Sequence, residues 1–152
     1  MALKPDRVEH LTDLSYFMNV TGERGRIVVH DGAGSGAAMD DASATVKFPT
    51  AQADVTAGNP AGLLLNDVVN LDLTRQHINF HKDEVQKGGK VLILRRGTVV
   101  TNMVSGTPTI GAKAYYDNSG SLQSTTADGT QVGRFLSIKD ADGYCKVEIN
   151  IV

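Results

Sequence analysis

At 152 residues the chain suits one domain with a sizeable core, and its length argues against two. A formal net charge of −2 removes any global electrostatic case for binding nucleic acid or an anionic membrane. Sixteen glycines, four Phe, four Tyr and no Trp favour a turn-rich β protein over a helical bundle. The single cysteine, Cys145, excludes an intrachain disulfide and a multi-cysteine zinc site. No apolar run approaches the ~20 residues that span a bilayer. The opening Met1-Ala-Leu-Lys4-Pro5-Asp6 lacks the apolar stretch of a signal peptide, so synthesis in the cytosol is expected.

Between Asp6 and Met18, Val8, Leu11 and Leu14 recur every third residue and Phe17 and Met18 follow. The spacing predicts a short helix that Asp6 can cap, within an N-terminal arm (residues 1–25) packed outside the main domain (residues 26–152). Such a segment is short for a free helix and needs a surface to lie on. Arg26 to His30 is a β-branched run and a predicted strand. The loop from Asp31 through Gly36 has three glycines, but lacks the Lys-Ser/Thr of a P-loop and the spacing of GxGxxG. It reads as a surface linker or extended arm. Ala42 to Phe48 is a further predicted strand, and Pro49 to Gly62 reads as loop around the breaker Gly58-Asn-Pro60.

From Leu63 the strand signal becomes dense. Val69, Leu71 and Leu73 alternate with polar residues, and Ile78 and Phe80 continue one step out of phase, as a bulge near Arg75 would produce. Lys90 to Arg95 is nearly continuously apolar, and Gly97 to Val104 follows at once. After Gly106 come Pro108 to Tyr116, Gln131 to Leu136 and Tyr144 to Ile151, separated by the turns Asp117-Asn-Ser-Gly120 and Asp140-Ala-Asp-Gly143. Tyr115 and Tyr116 are expected to place one ring in the core and one on the surface. Cys145, in an alternating strand, is expected to be a half-buried small hydrophobe rather than a reactive thiol. The fold class is mainly β: a small β-barrel or sandwich with an N-terminal arm that accommodates a short helix.

The chemical motifs are thin. His77 and His81 share a helical face, but Ile78 replaces the glutamate of HExxH, and on a strand they would stand ~13 Å apart. Asp140-Ala-Asp142-Gly143 lacks the closing glutamate of an EF-hand, since position 149 is Ile, and a turn explains it. No GxSxG, no paired carboxylates in an apolar setting and no aromatic-studded basic face are present. No cofactor is expected. Charge is nevertheless patchy: residues 31–74 carry a net −5 and residues 75–97 a net +4, including Arg95 and Arg96. Opposed blocks of this kind can steer docking or simply solvate a surface.

Gly89-Lys-Val91-Leu-Ile93 with Gly97-Thr-Val99, Ile110-Gly-Ala-Lys-Ala-Tyr115-Tyr-Asp117 with Gly120-Ser-Leu122, and Val132-Gly-Arg-Phe135-Leu136 with Asp142-Gly143 and Val147-Glu-Ile149 resemble the pattern of tailed-bacteriophage capsid decoration proteins, also called head-stabilising or cement proteins. The resemblance runs from about Leu63 to Val152. It implies a small β-barrel and a non-enzymatic virion protein that binds the capsid exterior and bridges subunits of the major capsid protein. Members are commonly trimers and some are dimers or monomers, so a homo-oligomer, a trimer before a dimer, is expected; the net charge of this chain gives no reason to expect a nucleic-acid or membrane partner. Independently of any family motif, composition nominates Leu11, Leu14, Tyr16, Phe17 and Met18 in the arm and His81, Arg95 and Arg96 in the basic block as contact residues. Two other readings stand beside this one: a tail or baseplate β-module, with carbohydrate as one candidate ligand, and a metal-dependent hydrolase built on His77 and His81.

Overall fold

The computed structural model describes residues 2–31, 44–67, 84–85, 87–125 and 129–151. The expected strand over residues 69–80, together with His77, His81 and most of the glycine-rich loop, lies outside the described residues.

The chain is organised on one long strand, β7 (Lys90–Thr101), whose two edges are both used. Along one edge runs β1 (Val8–Met18), antiparallel from Val8 opposite Thr98 to Phe17 opposite Lys90. The other edge is shared. Its first half pairs with β5 (Pro60–Asp67), from Asp67 opposite Val91 to Leu63 opposite Leu94. Its second half pairs with β11 (Cys145–Asn150), from Asn150 opposite Arg96 to Cys145 opposite Thr101. Strand β7 therefore forks between Leu94 and Arg96. Lys90 to Arg95 and Gly97 to Val104, read as successive runs, are one strand up to Thr101 that changes partner at their junction.

On the β5 side the pairings close a ring. β5 joins β3 (Ile27–Asp31), β3 joins β4 (Thr45–Lys47), and β4 meets the end of β1 in parallel through Phe17–Thr45 and Met18–Val46. On the β11 side the sheet continues through β10 (Gly133–Phe135) and β8 (Lys113–Tyr116) to β9 (Leu122–Gln123). A separate two-stranded piece pairs β2 (Gly22–Glu23) with β6 (Glu84–Val85).

Two apolar cores follow from this division. The smaller contains residues from all five ring strands: Met18, Val28, Val46, Leu64, Val91 and Ile93, joined by Phe48 and Val85. The larger lies on the opposite faces of β3 and β5 (Ile27, Val29, Leu63, Leu65) and takes in Leu94, Val99, Tyr116, Phe135, Val147 and Ile149. Each fully buried Leu, Ile, Val or Phe contributes roughly 1.5–3 kcal/mol of transfer free energy before the entropy of ordering is subtracted.

The N-terminal segment corrects the helix expected between Asp6 and Met18: it is a strand of the main sheet. Its register slips between Glu9 and Leu11, between Leu11 and Thr12, and between Asp13 and Tyr16. The first and last of these slips put the extra residue in β1 and the middle one puts it in β7, at Arg95; each insertion in β1 lets side chains return to one side after three positions instead of two. The spacing of Val8, Leu11 and Leu14 that resembles a helical face is produced by an irregular strand. The helix that does form, α1 (Gln52–Thr56), lies in the stretch expected to be loop. Val55, 1% exposed, plugs it into the larger core. The Asp54 carboxylate accepts the Thr50 N–H at 3.0 Å and meets Lys47 Nζ at 3.3 Å, tying α1 to the end of β4.

The C-terminal turns follow the sequence reading. Asp117 Oδ1 accepts N–H groups of Ser119 and Ser121, and Asp140 Oδ1 those of Asp142 and Tyr144, while Gly120 and Gly143 take positive φ. Both acidic side chains are occupied in shaping their turns. Tyr115 and Tyr116 depart from expectation, since both rings are buried (9% and 0% exposed). The Tyr116 hydroxyl points back to the Asp54 carbonyl at 3.4 Å.

Candidate interaction surface

Strand β1 is paired along one edge by β7, but on its other edge β4 reaches only Phe17 and Met18. Among the described residues, nothing pairs the second edge of β1 between Val8 and Tyr16. Val8, Leu11 and Leu14 on this strand are 50%, 46% and 49% exposed. An edge strand presents unmet N–H and C=O groups in a row, and apolar side chains along it make it a template for another chain. The interleaved polar residues limit that tendency: Glu9 pairs with Arg7 at 2.6 Å, and Asp13 accepts the Ser15 N–H at 2.8 Å. Burial tends to raise the Asp13 carboxyl, but the Ser15 hydrogen bonds and the Arg95 charge outweigh it and hold it below its ordinary value.

The nominated contact residues fall into different settings. Leu11 and Leu14 are exposed on β1, Tyr16 and Phe17 are half-buried, and Met18 is wholly buried in the smaller core. Arg96 is exposed on β7 and Arg95 half-buried at the fork, while His81 lies outside the described residues. Sequence reasoning missed His30 and Asn59. They belong to a cleft of about 430 Å³ where β5 and β11 diverge, lined also by Arg95, Gln131 and Asn150. Two further exposed apolar groups, Ile110 (70%) and Ile138 (60%), flank the far end near β10.

In the cleft, His30 of β3 and Arg95 of β7 line the same walls, and Arg95 is the residue at which the register of β7 against β1 slips. The Tyr16 ring packs at 5.4 Å from the His30 ring. Burial, and then the charge of Arg95, push the His30 imidazole below its ordinary value, so it is neutral at neutral pH. Arg95 Nε is buried without a hydrogen-bond partner among the described residues.

Reactive chemistry finds no foothold among these groups. Among the described residues no three His, Cys, Asp or Glu side chains cluster as a metal site would require. Cys145 is 1% exposed, and burial raises its thiol, so it behaves as a core hydrophobe. Among the described residues no helix is long and apolar enough to cross a membrane.

Among the described residues, the β-scaffold thus presents an unpaired, partly apolar edge on β1 and a polar cleft where β5 and β11 diverge. In the comparison with protein families, residues 10–150 match the model of the phage structural cement proteins (E217 gp24/Pam3 gp6). The chain belongs to that family, and is thereby a structural component of the phage capsid. No curated protein matches it.

Proposed function

We propose that this protein binds the outer surface of the assembled capsid and stabilises the lattice of the major capsid protein, without catalysing a reaction. The observation that carries the reading is the edge of β1 left unpaired among the described residues, with Val8, Leu11 and Leu14 exposed along it, in a chain of the cement family. Leu11 and Leu14, with Tyr16 and Phe17 beside them and Met18 anchoring the strand from the core, would form the apolar part of the contact. Arg95 and Arg96 would supply its basic part. Edge pairing gives a bound segment regular backbone hydrogen bonds, and many copies on one lattice multiply modest affinities. A homo-oligomer, a trimer before a dimer, fits the same logic, and the mass in solution tests it.

The experiment is reconstitution. Purified protein added to capsids lacking it should decorate the exterior in many copies, visible by electron microscopy, and raise the capsid melting temperature. Leu11→Lys combined with Leu14→Lys should reduce occupancy without unfolding the protein, because both side chains are about half exposed. Full-length protein that ignores such capsids, or that occurs in virions only in the few copies of a tail component, would refute the proposal.

A further inference from the structure

The cleft at the fork of β7 is a built polar site whose chemistry is not accounted for by the fold. Strand β5 leaves β7 after the Leu63–Leu94 pair, and β11 joins at Asn150–Arg96, with Ile151 N–H bonding the Arg95 carbonyl at 2.8 Å. A wedge opens between the two departing strands, and side chains fill its walls: His30 from β3, Asn59 before β5, Arg95 from β7, Gln131 before β10 and Asn150 from β11. Gly58 and Thr130 close one side. Gly58 holds φ at +68°, and a Cβ there would come 2.8 Å from Thr130 Oγ1, so the wall is tightly fitted.

Among the described residues lining this cleft, Arg95 is the only one with a formally charged side chain. Its Nε is removed from water yet meets no acceptor among the described residues. A buried donor left unpaired is costly, and such a group in a native fold calls for an explanation. The Asp13 carboxylate, which feels Arg95's charge, is committed to the Ser15 N–H and hydroxyl. Among the described residues, none that lines the wedge is an anion. The walls instead offer amide groups and an imidazole kept neutral at neutral pH.

We infer that this cleft is a carboxylate-binding site, in which Arg95 receives an aspartate or glutamate side chain of the capsid protein that the chain decorates. One guanidinium flanked by neutral hydrogen-bonding groups matches a planar monoanion, which Arg engages through two parallel N–H bonds. A phosphate dianion would call for more positive charge than one Arg supplies. At about 430 Å³ the wedge holds a side chain with part of its backbone, and it lies within the size range of small-ligand sites. The source of the carboxylate rests on the function proposed above, whereas the chemistry of the site does not.

Two measurements separate those layers. In the isolated protein, sodium acetate titrated against sodium chloride at matched ionic strength should shift the NMR signals of Arg95 Nε–H and the His30 ring. The shifts should saturate with acetate and vanish in Arg95→Gln. Acetate that leaves both signals where chloride leaves them overturns the site whatever the protein binds in the virion. On capsids, Arg95→Gln and Arg95→Lys should each weaken binding about tenfold or more, Lys because it keeps the charge but loses the fork. If Arg95→Gln does not fold, the acetate titration of the wild type and the Asn150→Ala variant still decide. Acetate binding without any decoration of capsids by the wild type would strike the capsid source and leave the carboxylate site standing. Acetate binding with capsid affinity unchanged in both Arg95 variants would overturn the assignment of the partner.

Discussion

Gly97 is the residue on which the forked architecture can be tested most sharply. It lies one position past the fork, paired on one side with Glu9 of β1 and on the other with Ile149 of β11, at a φ of +150°. A Cβ built there would overlap the Val8 carbonyl oxygen and lie 3.1 Å from Leu94 Cδ1. Gly97→Ala therefore meets two costs. The backbone angle contributes about 1–3 kcal/mol for a residue other than glycine. The overlap contributes about as much again, because the obstacle is main chain and no rotamer relieves it. A loss of roughly 2–6 kcal/mol is large against a total stability of about 5–15 kcal/mol, and for a chain of this size it lowers the melting temperature by roughly 5–20 °C. Gly111→Ala is the control: φ is +82°, but nothing lies within 4 Å of its added Cβ, so only the angular cost of about 1–2 kcal/mol applies. Thermal melts followed by circular dichroism, with hydrogen exchange along β1, read both variants. If Gly97→Ala melts no lower than Gly111→Ala, the close passage of β1 over the fork is refuted.

Two titrating groups give further predictions. His30 is depressed below 6.5 by burial and then by Arg95, so the unfolded chain binds the proton first as pH falls. The stability it contributes is whole above about pH 6.5 and is lost as pH drops through the window below that value. His30→Gln should flatten the fall in melting temperature between pH 7 and pH 5, and a variant that reproduces the wild-type curve would contradict the assignment. Asp54 is held below its ordinary 3.8, first by the Thr50 N–H and further by Lys47. Asp54→Ala should cost about 1 kcal/mol near neutral pH, a loss of roughly 2–4 °C in melting temperature. The gap between wild type and variant should close as pH falls below 3.8, since the wild-type carboxylate is then protonated too. A gap that persists in acid would assign the effect to packing of α1 instead.

Much of this fold was legible because its strands obey simple periods. Lys90 to Arg95, Tyr144 to Ile151 and Arg26 to His30 announce strands by β-branched or alternating residues, and the Asp-x-x-Gly turns announce the corners. Four features were not legible, each for a physical reason. Val8, Leu11 and Leu14 carry a three-residue spacing because bulges reset the pleat, and periodicity alone cannot tell that from a helix. Helix α1 has only five residues, no side-chain N-cap and one buried residue, Val55, so it leaves almost no pattern. Tyr115 and Tyr116 defeat alternation because both neighbouring side chains of β8 are covered. The cleft was least legible of all. Its residues come from positions 30, 59, 95, 131 and 150, and only the divergence of β5 from β11 brings them together.

The distribution of these features over the surface has a consequence for how a cement protein can act. Before it reaches a lattice, it must stay soluble at high concentration with an edge strand open. Here the edge shows single apolar side chains separated by Glu9, His10, Asp13 and Ser15, which is enough polarity to discourage self-pairing and enough apolar area to reward a fitted partner. Apolar burial is non-directional, so contacts of this kind constrain orientation weakly. A single Arg–carboxylate pair is not permissive, since its two parallel hydrogen bonds fix distance and orientation together. On the proposed reading the two parts of the surface therefore divide the work: β1 supplies affinity, multiplied over many copies, and Arg95 selects the one placement in which an acidic side chain enters the fork. Lysine substitutions at Leu11 and Leu14 should then lower occupancy while the bound copies keep their position. Arg95→Gln should blur the position of the copies that still bind.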